Sequence, residues 1–181
     1  MASKENEGNH PTILPMLPDG DIARTQYKLM AKITTQASGL VKGSSTVKGY
    51  EGWVSLLDFK QRVTRAFDAQ DQLIGVPDCK YFRLTGLWDQ AGVVPHTQSI
   101  FTGENINSAV IHCLRSGAQG EVEVAVEITL EDAKVLEIDY AYSHPAGPLF
   151  IVDMRPTVYK VMDKKNNQEF GWNLTKLMRV G

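Results

Sequence analysis

His112 and Cys113 set a ring nitrogen and a thiol side by side, the two groups that ligate transition metals or make an activated nucleophile. Around them the chemistry thins out. His10, His96 and His144 are scattered, no histidines stand at i, i+4, and the second cysteine, Cys79, lies far away in sequence. A structural zinc site needs four ligands, and a nucleophile needs a base held by a third group. His112 is therefore read as a satisfied strand histidine, and the cysteines as reduced, buried small hydrophobes. Glu121, Glu123 and Glu127 offer carboxylates, but acid–base catalysis needs two whose surroundings push their pKa values apart. Their alternation instead predicts solvated charges, an electrostatic lining, or an edge that meets another subunit. Trp53, Trp88, Trp172 and Tyr159 could stack on bases, yet no basic groove accompanies them and the net charge is −2. No Gly-rich phosphate loop and no Gly-x-Ser-x-Gly elbow occurs. The expectation is a chain without catalytic residues, metal or cofactor, and without a nucleic-acid partner.

The elements that carry these residues have a period of two. Tyr27, Leu29, Ala31 and Ile33 alternate with Lys28, Met30 and Lys32, and Trp53, Ser55, Leu57 and Phe59 share one side of the next run. From 121 to 130, Val122, Val124, Val126, Ile128 and Leu130 point one way and the three glutamates the other, a strand with one buried and one wet face. Leu136, Ile138, Tyr140 and Tyr142 repeat the pattern, and 109–115, 149–155 and 157–162 are further strands. Turn-forming clusters at 116–120, 144–148 and 163–167 separate them, and Gly39–Gly49 reads as one long loop. One segment invites a helix: Pro95 suits a first turn, Val94, Gln98 and Phe101 share a face, and Gly103 ends it. The sum is a mainly β chain, an antiparallel barrel or sandwich with one short α-helix.

Two parts are expected: an N-terminal arm over 1–25 and a barrel domain over 26–181. The arm carries Pro11, Pro15 and Pro18 and reads as mobile or loosely docked, with a docking strip at Ile13, Leu14, Pro15, Met16 and Leu17. At 181 residues the chain can bury a core without staples, and 43% apolar with 22% charged residues is ordinary for a globular domain. No apolar run approaches the ~18 residues of a membrane span. The polar start lacks the features of a cleaved secretory signal, so cytoplasmic folding and assembly are expected, with any export by a route that reads no such signal.

The order of segments resembles the haemolysin-coregulated protein (Hcp) family of type VI secretion. The opening strand from Tyr27 to Ile33, the loop Gly39–Gly49 followed by Gly52, Trp53 and Val54, and the helix-closing Thr102, Gly103, Glu104, Asn105 and Ile106 follow that family's sequence of parts. So do the strand ending at Arg115, the stretch Leu130, Glu131, Asp132 and Ala133, and the closing hairpin with Phe170, Gly171, Trp172, Asn173 and Leu174. The likeness covers about 27–176, and colinearity carries it rather than any single motif. The long arm, Thr34-Thr35-Gln36 in place of an Asp-Gly pair, and a helix without a Ser-Pro start mark a divergent branch.

The resemblance implies a structural tube subunit: a homohexameric ring with a wide channel, rings stacked head to tail, effectors in the lumen, and sheath, spike and effector proteins as partners. A ring closes through unlike faces, and stacking unlike faces makes a filament. On that reading the loop reaches the neighbouring ring, with Val41, Lys42, Ser44, Ser45, Val47 and Lys48 as contact residues. Glu121, Glu123 and Glu127 are candidates to face the lumen. The alternatives are a phage-like tail-tube or baseplate protein, a monomeric ligand-binding β-barrel with a concave apolar pocket, and a hydrolytic cargo domain.

Overall fold

The computed structural model describes residues 28–70, 72–88, 93–116, 121–141 and 148–180. In chain order these form β1 (Lys28–Thr35), β2 (Gly39–Leu40), β3 (Val54–Phe67), β4 (Leu73–Leu87), α1 (Val93–Thr102), β5 (Ile106–Ser116), β6 (Val122–Ala141), β7 (Leu149–Asp163), β8 (Gln168–Asn173) and β9 (Met178–Val180). The arm 1–25, His10, Tyr142, His144 and the turn residues 117–120 and 144–147 lie outside the described residues.

Every ladder is antiparallel, and the strand order is β4-β3-β1-β5-β6-β7-β8-β9 with β2 on β1. Pairing of β4 with β7 closes the wall, giving the mainly β barrel with one helix that the alternation predicts. One edge of β7 serves two neighbours: Leu149–Met154 pair with β4, and Val158–Asp163 with β8. Pro156, which has no N–H to donate, sits in the gap between them. This explains why two strands expected at 149–155 and 157–162 are one. The outer half of β4 pairs only with β3, so the β3–β4 hairpin projects beyond the barrel and diverges from β7 and β8. Alternation alone stops β3 at Phe59 and misses β4 altogether.

Bulges account for the other departures. On β3 the core side is Val54 and Leu56; the register then shifts between Leu56 and Asp58, so Phe59 turns inward while Leu57 is exposed. Trp53 and Ser55 therefore do not share the side of Phe59, as simple alternation predicts. On β6 a shift between Val135 and Glu137 leaves Leu136 outside while Val135, Ile138 and Tyr140 pack on the core. A bulge inserts one residue and thereby exchanges the two faces of everything beyond it. Asp132 marks another irregularity of β6, with φ 50°. Its carboxylate accepts from Asn105 Nδ2 at 2.5 Å and from Thr157 Oγ1 at 2.9 Å, tying β5 and β7 to the kink.

The core lies inside the barrel, with Phe82, Phe150, Ile33, Leu84, Ile111 and Leu130 fully buried. Each such side chain contributes about 1.5–3 kcal/mol on removal from water. Across the closing seam Arg83 and Asp153 are a register pair, and the guanidinium grips the carboxylate through Nε and Nη2, both at 2.6 Å. That bidentate partner pushes the Arg83 pKa further up.

Candidate assembly surfaces

The loop after β2 folds back on its own barrel. Gly43 N–H donates to Gly52 O at 2.8 Å, Ser45 N–H to Trp53 O at 3.2 Å, and Gly52 N–H to Ser45 O at 2.9 Å. Only glycine fits at 43, because a Cβ there would collide with the Trp53 carbonyl. The loop carries Tyr50 and Trp53 onto the outer face of β1 and β5. There Tyr50 meets Trp53 edge-on at 4.9 Å, and the Trp53 and His112 rings lie 5.0 Å apart. Met30, on the face that alternation makes wet, is buried at 3% exposure beneath this cover.

His112 holds the cluster together. Its Nδ1 is 3.0 Å from Tyr50 Oη, and its Nε2 is 2.9 Å from Glu127 Oε2, which also meets Lys164 Nζ at 3.1 Å. Burial lowers the His112 pKa, with Glu127 opposing the shift; burial and the same carboxylate raise that of Tyr50. His112 is thus the hydrogen-bonded strand histidine expected from its setting. Cys113 is half-buried, both cysteines are free, and burial raises the Cys79 thiol to about 11. Among the described residues no group of three or more His, Cys, Asp or Glu side chains converges as a metal site would require, and no helix is long and apolar enough to cross a membrane.

The six loop residues divide. Val41 is 1% exposed and belongs to the core cluster, so its side chain is unavailable to a neighbouring ring. Its N–H donates to Ile33 O at 2.8 Å, continuing the β2 pairing, which is why it turns inward. Lys42, Ser44 and Lys48 are exposed, and Ser45 and Val47 are half-buried. The three glutamates also divide. Cys113 pairs with Val126 but Leu114 with Val124, so one residue of β6 is extra. Glu127 then lies with His112 on the outer face, whereas Glu123 pairs with Arg115 at 2.8 Å, three residues further along β5 and hence on the other side. Glu121 is exposed. A single acidic face from 121 to 127 does not exist, and Glu123 and Glu127 each sit against a cation.

Helix α1 inverts the usual arrangement. Inward it presents His96 and Ser99, both buried; outward it presents Val94 at 74% and Phe101 at 85% exposure. The face shared by Val94, Gln98 and Phe101 is thus the solvent face. Gln98 Oε1 accepts from Ser38 Oγ at 3.2 Å, drawing in the β1–β2 turn. His96 stacks on Phe150, with centroids 6.0 Å apart and planes 6° from parallel, and neither ring nitrogen has a partner. Burial pulls its pKa down to about 4. Elsewhere α1 is pinned by Thr97 Oγ1 to Tyr140 Oη at 2.5 Å.

At the far end of the barrel, where the β3–β4 hairpin parts from β7 and β8, an apolar groove of about 430 Å³ opens. Val63, Val76, Cys79, Tyr159, Phe170 and Trp172 are among its walls. Nothing in the strand periodicity points to it, because neither strand of the hairpin arm alternates cleanly; Val63, Ile74 and Val76, apolar residues left exposed, are the trace it leaves in the sequence.

A family model described as "Type VI secretion system effector, Hcp" matches residues 31–164, most of the chain. The chain belongs to the Hcp family. Solved Hcp structures share its fold at low identity. The Hcp1 protein of the E. coli EAEC 042 pathovar, in a doubly substituted form, is 18% identical with a TM-score of 0.74, covering 81% of this chain and 97% of that one. Hcp3 of Pseudomonas aeruginosa, described as a secreted protein, is 18% identical at TM-score 0.66, covering 80% and 98%. Hcp1 of Salmonella typhimurium is 14% identical at 0.67, covering 85% and 99%. A search of curated proteins finds no match. The colinear motifs thus mark a genuine Hcp chain. Gly171 of the closing hairpin has a steric reason, since a Cβ there would strike the Val180 carbonyl of β9.

Proposed function

We propose that this Hcp-family chain is a structural subunit of the type VI inner tube, assembling in the cytoplasm into a homohexameric ring and leaving the cell without a cleaved signal. Rings stack head to tail, the lumen takes effectors, and sheath and spike proteins are the further partners. The observation that carries this reading is the outward face of α1. Phe101 and Val94 lie on one side of the helix, one beside each end, and both are largely in water. Exposed apolar side chains over a buried polar helix face suit burial against another copy. The exposed loop residues Lys42, Ser44 and Lys48 offer a polar surface of a different kind, so the surfaces open to other copies are unlike. Unlike surfaces close rings or propagate filaments, whereas like surfaces make dimers. In the stacked tube Lys42, Ser44 and Lys48 face the next ring, and Glu121 is the glutamate best placed to meet solvent in the lumen.

Replacing Phe101 and Val94 by Ser tests the helix face. Both side chains are exposed, so folding is expected to persist with unchanged far-ultraviolet dichroism while sedimentation shifts toward single subunits. An unaltered oligomer distribution would remove the helix from the interface. The groove supports a second reading, a ligand-binding barrel, because it is concave and apolar. That reading requires a monomer that binds apolar dyes with one-to-one stoichiometry.

A further inference from the structure

The open end of the barrel carries two unsatisfied features. One is the groove. The other is a strand edge: β1 pairs with β3 only through Leu29–Ala31 against Val54–Leu56, while β3 continues to Phe67. Beyond Leu56 the β1 side of β3 has no neighbour among the described residues. An unpaired edge of this length invites another strand.

The chain before β1 fits that edge. Carried backward past the one-residue bulge at Leu57, the β1 register sets Ala23 opposite Val63 and Asp21 opposite Arg65. Val63 and Arg65 both line the groove, and Val63 is 45% exposed. The pairing would cover an apolar side chain and match an acid with a base on one face. Asp19 falls opposite Phe67, the last residue of β3, and Pro18 falls just past it. Residues 19–27 contain no proline, so every N–H a ladder needs is present, and the first proline arrives where the edge ends. Beyond it come Ile13, Leu14, Met16 and Leu17.

Length agrees as well. Residues 18–27 span up to roughly 35 Å when extended. By the strand register the groove walls Gln61 to Arg65 lie only about 10–23 Å beyond Lys28 at ~3.3 Å per residue. A segment paired out to Phe67 ends, at Pro18, about 10 Å past Arg65, so the apolar strip turns back over the end of β3 to enter the groove of its own subunit.

We propose that the N-terminal segment docks on its own barrel, residues 19–27 extending β1 along the open edge of β3 and residues 13–17 filling the groove between the β3–β4 hairpin and β8. The segment converts an exposed strand edge and an apolar cleft into covered surface. It thereby leaves the helix end as the apolar surface open to other copies.

A disulfide trap in the full-length chain tests this. Met16→Cys and Val76→Cys are combined with Cys79→Ala and Cys113→Ala, then oxidised and run on a denaturing gel. The expected product is a single chain of increased mobility, the mark of an internal bridge, seen at all protein concentrations. A covalent dimer would show that the groove takes a neighbour's segment and would overturn the assignment to the same subunit. Absence of any bridge would overturn the docking itself. Because cysteine substitutions can disturb folding, a second variant keeps the native thiols. Leu14→Asp with Met16→Asp is expected to raise the fluorescence of an added anilinonaphthalene sulfonate severalfold, as the groove opens to dye. Dye fluorescence equal to that of the unmodified chain would likewise reject the proposal. Neither readout depends on ring formation.

Discussion

His96 is a neutral imidazole sealed under α1 with both nitrogens unpartnered, and His96→Leu should stabilise the protein in a pH-dependent way. Leucine keeps similar bulk, suits a helix and has no polar atom to bury. At neutral pH the gain is the relief of an orphaned donor and acceptor, about 1–3 kcal/mol. The pH-dependent part follows from the pKa, about 4 in the folded chain against an ordinary 6.5. As pH falls below 6.5 the unfolded chain takes up a proton that the folded chain refuses, so stability declines and stops declining only below about 4. The full loss is about 3 kcal/mol, since every tenfold drop in proton affinity on folding is worth about 1.4 kcal/mol. Carboxylates begin to titrate near pH 5, so the clean window runs from pH 7 to 5, where His96 alone removes about 2 kcal/mol. His112 titrates in both proteins and cancels. Urea unfolding at pH 7, 6 and 5, at one protein concentration because assembly adds concentration-dependent stability, should show a steeper fall for the parent chain than for His96→Leu. Parallel pH dependences would mean that His96 takes up its proton as readily folded as unfolded, and would rule out a sealed, neutral imidazole.

Arg83→Leu leaves the buried Asp153 carboxylate without its partner and should cost about 3 kcal/mol in chemical denaturation. The double variant Arg83→Leu with Asp153→Leu should recover most of that loss, and failure to recover would mean the seam depends on the ion pair itself. Lys42→Glu with Lys48→Glu, both exposed side chains, should leave rings intact and abolish stacked tubes in negative-stain images; normal tubes would refute the placement of this loop between rings.

Much of the barrel is legible in the sequence because its wall obeys a simple alternation. Ala31 with Ile33, and Ile128 with Leu130, sit in the core where that alternation puts them. The failures are local and share a cause. A bulge costs one residue and leaves no mark in composition, so the switches at Leu57, at Leu136 and between Cys113 and Leu114 are invisible beforehand. Those switches decide which side chains are available: one of them separates Glu123 from Glu127. The burial of Val41 and Met30 cannot be read either, since it depends on a loop that returns to its own sheet instead of extending away. The hairpin arm escapes notice because its apolar residues lie exposed and irregularly spaced, as they do on an element that serves a groove and not a sealed core. The helix is betrayed by its proline and glycine, but its orientation is not, since an amphipathic pattern does not say which face is covered when the polar face is the buried one.

Whether the chain closes into rings is read by sedimentation velocity of the purified full-length chain at micromolar concentration, with negative-stain imaging of the same sample. The expected result is a discrete species at about six times the 20.1 kDa subunit mass, seen as open rings. A single compact particle of one subunit's mass that persists as concentration rises would contradict it.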